Sequence, residues 1–256
     1  MKAVFIGAGN VATHLALALQ NKGVTISQIF SRTSSNAQVL AEKLGISFTS
    51  EINELDKSAD IYIYAIKDGA LRHLISKIAL PKALHVHTAG SISLRVFEGY
   101  AERCGVIYPL QTFSKNKMVD FSQIPICIEA NSPEVEQELL EIAHLLTKKT
   151  YILNSEQRKK LHLSAVFACN FTNHMYAIAA DLVESAGLPF EILQPLIAET
   201  ADKIKTMSPR DAQTGPAVRF DEETITKHLS MLKEKAELLQ IYKDLSLNIH
   251  QKHKKK

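Results

Sequence analysis

Apolar positions in the first half of the chain alternate between two periods. Ala3-Val4-Phe5-Ile6 is a short apolar run that stops at glycine, and Val11, Leu15 and Leu19 follow it at helical spacing. A β-like run at 24–30, a polar helix at 34–44 and a short strand at 46–48 come next. A third apolar run occupies 61–66, followed by a helix at 70–78 and a strand at 84–86. Strands alternating with helices of this length predict βαβ units around a buried parallel sheet. The apolar segments 106–108 and 124–128 extend that sheet, and a helix at 133–146 with the run 150–153 completes it.

The pattern changes after Leu153, and no convincing strand is legible from Ser155 onward. Residues 155–185 read as one long amphipathic helix, with Ser155 as its N-cap and Gly187-Leu188-Pro189 as its stop. A second helix follows at 189–207. Ser208-Pro209 and Thr214-Gly215-Pro216 mark a loop, and 222–248 makes a final helix or pair. The fold class expected is therefore α/β: a doubly wound, mostly parallel Rossmann sheet over 1–153, then an all-helical domain over 154–256.

The strongest motif is Gly7-Ala8-Gly9-Asn10-Val11-Ala12, a G-x-G-x-x-A between the first strand and the first helix. Gly7 permits the tight turn, Gly9 lets backbone approach a pyrophosphate, and Ala12 lets the helix pack close to the sheet. The helix N-terminus then attracts the anion. A binder of NAD tends to carry Asp or Glu about 20 residues on, to hold the ribose 2′-hydroxyl. Here the second strand ends Phe30-Ser31-Arg32-Thr33-Ser34, without a carboxylate. Arg32 can pair with a 2′-phosphate through its planar fork, and the hydroxyls of Ser31, Thr33 and Ser34 can add hydrogen bonds. The cofactor expected is NADP. The plainer alternative is an arginine in a solvated loop.

Together GAGNVA, FSRTSS and the strand end Ala65-Ile66-Lys67-Asp68 resemble the NADP-binding half of a broad superfamily. It includes deazaflavin-dependent NADP oxidoreductases, pyrroline-5-carboxylate reductase, ketopantoate reductase, and the 6-phosphogluconate and β-hydroxyacid dehydrogenases. More narrowly, HVHTAGSIS (85–93), IYPLQTFS (107–114), HLSAVFACNFTNH (162–174) and GPAVRFD (215–221) resemble a family of predicted NADP oxidoreductases. Its members join a Rossmann-like domain to a helical domain of uncharacterised function. The resemblance spans nearly the whole chain and implies NADP binding, redox chemistry and a helical dimerisation domain. One departure stands out. Several relatives in the superfamily carry a lysine on the first long helix of the second domain, one turn before an asparagine. Here Val166 precedes Asn170 at that spacing, so the relatives' catalytic roles do not transfer directly.

His162 is the nearest ionisable residue to Asn170, eight positions earlier and about 80° away around an ideal helix. Its unperturbed pKa near 6.5 suits a general acid, although a histidine bridging two elements fits equally well. Asn170 would orient a substrate carbonyl or tie two helices together. His87 sits nearer the carboxyl end of its strand than His85, where ligands bind in open α/β sheets. Thr88, Ala89, Gly90 and Ser91 would then line the nicotinamide end. His85 and His87 share a strand face, but no third ligand is near, so no metal site is expected. Gln111 and Thr112 offer an amide and a hydroxyl to a substrate or to their own loop. Arg219 can hold a substrate carboxylate or pair with Asp221, which is better placed to cap the helix starting at Glu222.

Composition narrows the function further. The chain has 256 residues with 10 Gly, 8 Pro and 3 Cys, which excludes disorder, collagen-like repeats and a disulfide scaffold. The net charge of +3 is carried by the tail QKHKKK, whose four lysines belong to a terminus expected to fray. Without them 26 basic residues face 27 acidic ones, so no nucleic-acid partner is expected. No run approaches the roughly 18 apolar residues of a membrane span, and no export signal is legible. The cytoplasm is the expected compartment and a homodimer the expected assembly. Three functions compete: an NADP(H)-dependent oxidoreductase acting on a small carbonyl, imine or redox partner, a non-catalytic NADP-binding sensor or interaction protein, and a relative that reduces or oxidises a deazaflavin.

Overall fold

The computed structural model describes residues 1–78 and 80–254. In chain order the first elements are β1 (Lys2–Ile6), α1 (Asn10–Asn21), β2 (Thr25–Phe30), α2 (Ser34–Leu44), β3 (Ser47–Thr49), β4 (Ile61–Tyr64), α3 (Asp68–Ile75) and β5 (Leu84–His87). They are followed by β6 (Arg103–Pro109), β7 (Ile126–Ala130), α4 (Pro133–His144), β8 (Thr150–Ile152) and α5 (Ser155–Ala165). The eight strands form one sheet in the order β3-β2-β1-β4-β5-β6-β7-β8, all parallel except the β6–β7 pair. The order reverses between β1 and β4, which opens a crevice at the carboxyl ends of those strands.

Side-chain alternation on the strands feeds two apolar layers. Ala3, Phe5, Ile61 and Ile63 face a core completed by α1, α2 and α4. Val4, Ile6, Tyr62 and Tyr64 face the opposite core, closed by Leu71, Leu74 and Ile75 of α3 together with Phe97. Both faces are covered, which is why the strands read as continuous apolar runs.

Beyond α5 come a π-helical turn (Val166–Phe171), α6 (Thr172–Ser185), α7 (Gln194–Lys203), α8 (Pro216–Arg219), α9 (Glu222–Met231) and α10 (Ala236–Lys254). The chain divides into two compact units, 1–175 and 176–256, with the division falling inside α6. Among the described residues no helix is long and apolar enough to cross a membrane.

Several local readings need correction. The helix expected over 155–185 is interrupted by the π turn, and its N-cap is Asn154 rather than Ser155. The Asn154 side chain accepts from the Gln157 N–H at 2.9 Å, while the Gln157 side chain accepts from the Asn154 N–H at 3.0 Å. Ser155 instead donates its N–H and hydroxyl to Glu129. The expected helix at 189–207 begins as a short 3₁₀ segment, and the loop at 208–221 contains α8. Within the tail, α10 runs through Lys254; Lys255 and Lys256 lie outside the described residues. Asp221 caps α9, accepting from the Thr224 N–H at 3.1 Å.

Candidate functional site

A cleft of about 580 Å³ runs along the carboxyl ends of β1, β2, β4, β5 and β6 within the 1–175 unit. Its floor is the turn between β1 and α1. Gly7 adopts φ +121°, and a β-carbon there would be driven into the Ala65 carbonyl group. A β-carbon on Gly9 would meet nothing within 4 Å, so the turn leaves open space where backbone can approach a ligand. The α1 helix has no side-chain cap and no acidic residue in its first turn. Its first N–H groups therefore meet the cleft with the positive end of the helix dipole undiminished. Ala12, in the first turn of this helix, is fully buried and does not line the cleft.

Three cations line the cleft: Arg32 beyond β2, Lys67 beyond β4, and Lys115 in the loop after β6. Ser31 and Thr33 flank Arg32 on the same wall, whereas Ser34 is the first residue of α2 and lies off it. Asp68 is the one carboxylate among the lining residues, and the Ser91 hydroxyl donates to it. Ala65, Ile66, Thr88, Ala89, Gly90 and Gln111 complete the lining named by the sequence, Asn36 and Tyr108 join them, and Ser91 is not among the lining residues.

A paired histidine and tyrosine close the end of the cleft near Gly90. Tyr108 Oη and His162 Nδ1 are 3.0 Å apart, and the two rings meet edge to face with centroids at 5.9 Å. Burial, with the neighbouring Cys127 adding to it, pushes the Tyr108 hydroxyl up to about 12, so it stays protonated at neutral pH. His162 reaches this position from α5, whose first turns are anchored from beneath. Arg158, one turn earlier and 1% exposed, donates to Glu129 and to the Ile92 carbonyl. The Leu94 N–H donates to Ser155 Oγ at 3.0 Å, tying the same helix to the loop that carries Gly90.

Other residues named from sequence lie elsewhere. His87 is fully buried with its ring stacked on Phe97 at 5.7 Å, and its Nδ1 accepts from the Ala89 N–H. A substrate in the cleft cannot touch it. His87 does stand at the carboxyl end of β5, but alternation turns His85 and His87 together into the core beside Phe97. Asn170 is exposed within the π turn and is not among the lining residues; the 80° spacing assumed an unbroken α-helix. Arg219 ends α8 in the 176–256 unit and is exposed. Tyr108 and Lys115 were not singled out in the sequence. An internal tyrosine in an apolar strand and a lysine in a polar loop carry no local signature.

The geometry fits a dinucleotide: an uncapped helix start beside an open glycine turn, with cations spaced along one cleft. Comparison with known proteins agrees. Residues 2–89 match the family described as NADP oxidoreductase, coenzyme F420-dependent, and residues 124–249 match a domain of unknown function (DUF2520). A crystal structure of a putative NADP oxidoreductase from Bacteroides fragilis is similar at 49% identity, with 98% of each chain covered and a TM-score of 0.94. A reductive aminase from Aspergillus terreus, in complex with NADPH and ethyl levulinate, shares 16% identity over 98% of this chain and 94% of its own, with a TM-score of 0.75. A 1-pyrroline-5-carboxylate reductase from Streptococcus pyogenes shares 16% identity over 98% of each chain, with a TM-score of 0.66. The last two likenesses concern the fold. No curated protein matches the chain.

Proposed function

Because the chain belongs to the NADP oxidoreductase family that joins a Rossmann-like domain to a C-terminal domain of unknown function, we propose that it transfers a hydride between NADP(H) and a small imine or carbonyl substrate, with His162 as the proton donor. The observation that carries this reading is that one cleft holds both the anion-binding turn and, at its Gly90 end, the His162–Tyr108 pair.

Bound in the cleft, NADPH supplies the hydride. The chain's own residues bind, orient and protonate. The first N–H groups of α1, from Asn10 and Val11, would hold the diphosphate. Arg32, Ser31 and Thr33 would hold the 2′-phosphate, and Ala65, Ile66, Lys67, Thr88 and Ala89, which line the same cleft, would border the cofactor. Tyr108, kept as a hydroxyl by burial, accepts from the Nδ1–H of His162. That bond fixes the ring, and in the imidazolium, where Nδ1–H must donate, it leaves the Nε2 proton as the one to give. As the reduced carbon gains a hydride, the imidazolium gives its Nε2 proton to the substrate nitrogen or oxygen and becomes the neutral Nδ1–H form. The hydrogen bond to Tyr108 is kept throughout. Gln111, on the same wall, offers its amide to the substrate.

Steady-state NADPH consumption against cyclic imines, ketone–amine mixtures and simple carbonyls tests the proposal. Imines come first, because the fold neighbours include enzymes named for amine and imine chemistry. On whichever substrate turns over, His162→Ala should lower kcat by roughly 10²–10⁴-fold while leaving NADPH affinity nearly unchanged. Full activity in that variant would overturn the assignment.

The working assembly is a homodimer. Leu163, Phe167 and Phe171 recur at helical spacing in the 1–175 unit and are about half exposed. Within the 176–256 unit Leu196 is 64% and Met231 80% exposed. A second copy of the chain would cover such surface, which a monomer rarely leaves open. Sedimentation at micromolar concentration should give twice the mass of one chain.

A further inference from the structure

The loop after β6 is fastened to the first two turns of α1 by two side chains. Asn10 Nδ2 donates to the Phe113 carbonyl at 2.7 Å, and His14 Nε2 donates to the Ser114 carbonyl at 2.9 Å. A carbonyl can only accept, so His14 carries a proton on Nε2. Its ring lies 5.2 Å from that of Phe113, which in turn stacks on Phe121 at 6.0 Å. His14 is only 3% exposed, although a helix packed on a sheet ordinarily presents apolar residues there. Neither bond serves α1 itself. Both hold the loop against the helix start, and the next residue along, Lys115, lines the cleft beside Gly9, Asn10 and Val11.

We infer that Lys115 is a clamp on the dinucleotide's diphosphate, held over the α1 N-terminus by Asn10 and His14. This rests on reading the cleft as the NADP(H) site. The diphosphate lies at the helix start, and its negative charge exceeds what the dipole's half charge there neutralises. Arg32 stands beyond β2 at the adenosine end, so the two cations divide the work. Lys115 adds affinity for the diphosphate, and Arg32 adds affinity for the 2′-phosphate.

Two probes separate these roles: NADPH, which carries both groups, and adenosine 2′-monophosphate, which has no diphosphate. Each is titrated calorimetrically into the full-length wild type, Lys115→Met and Arg32→Ala. Lys115→Met should weaken NADPH roughly tenfold and leave the monophosphate unchanged, while Arg32→Ala weakens both. Lys115 is exposed, so its substitution should leave the melting temperature in place. His14→Leu should weaken NADPH in the wild type but add little in the Lys115→Met background. NADPH affinity unaltered by Lys115→Met, or an equal loss of both probes, would overturn this inference alone. A wild type that fails to bind NADPH would overturn the reading of the cleft as well.

Discussion

Gly90 and His162 meet so closely that no side chain fits between them. A β-carbon on residue 90 would stand 2.7 Å from both Cγ and Nδ1 of the His162 ring and 2.8 Å from Tyr108 Cζ. The absence of a side chain at 90 is therefore what lets the imidazole reach Tyr108 at the end of the cleft.

Gly90→Ala should displace the ring. It would lower turnover at least tenfold, with NADPH affinity kept within a factor of about three, because the phosphate-binding end is untouched. The overpacking should cost about 1–3 kcal/mol of stability. Steady-state kinetics and thermal unfolding on the same variant check both parts. Unchanged turnover would show that His162 does not need its present position.

Arg32 should set cofactor preference. Gly7, Gly9 and the α1 N-terminus meet the diphosphate of either dinucleotide and cannot discriminate. A charge-assisted guanidinium–phosphate contact is worth about 1.5–3 kcal/mol, or roughly ten- to a hundredfold in affinity. Arg32→Ala should weaken NADPH by that factor and leave NADH almost untouched, as read by calorimetry. An equal loss of both cofactors would contradict the assignment.

Buried neutral histidines should make the fold acid-sensitive. Burial, reinforced by the charge of Arg158, pushes His87 down to about 3, and burial also lowers His85. The unfolded chain takes up a proton near pH 6.5 that the folded His87 refuses until about pH 3. Stability from this source is present above pH 6.5 and is lost as the pH falls towards 3. The urea midpoint should accordingly drop between pH 7 and pH 4, and the drop should shrink in His87→Leu. An identical drop in both proteins would assign the acid sensitivity to other groups.

Much of the fold was legible in the sequence because period and burial agree. The run Ala3-Val4-Phe5-Ile6 is apolar throughout since both faces of β1 are covered, and the glycine after it takes the conformation that the turn demands. The glycine turn, the helix start and Arg32, which line one cleft, were legible together because they are neighbours in sequence. The rest of the site joins distant positions. Tyr108 and His162 are 54 residues apart, and His14 and Ser114 are 100 apart. Such pairings are set by tertiary packing. His87 shows the converse difficulty: its place along β5 was legible, but the face it takes depends on Phe97, which sits in a different segment. The π turn was hidden because Val166–Phe171, with Asn170 its one polar residue, shows no period that separates a π turn from an α-helix.

Hydride transfer itself can be followed with NADPH deuterated at the reacting position of the nicotinamide. The full-length protein is incubated with the labelled cofactor and the panel of imines and carbonyls, and the products are examined by mass spectrometry. One deuterium should appear on the former imine or carbonyl carbon for each NADPH consumed, and His162→Ala should slow its appearance in step with kcat. Tight NADPH binding with all of the label retained in the cofactor across the panel would contradict the account and leave a protein that holds NADP(H) without using it.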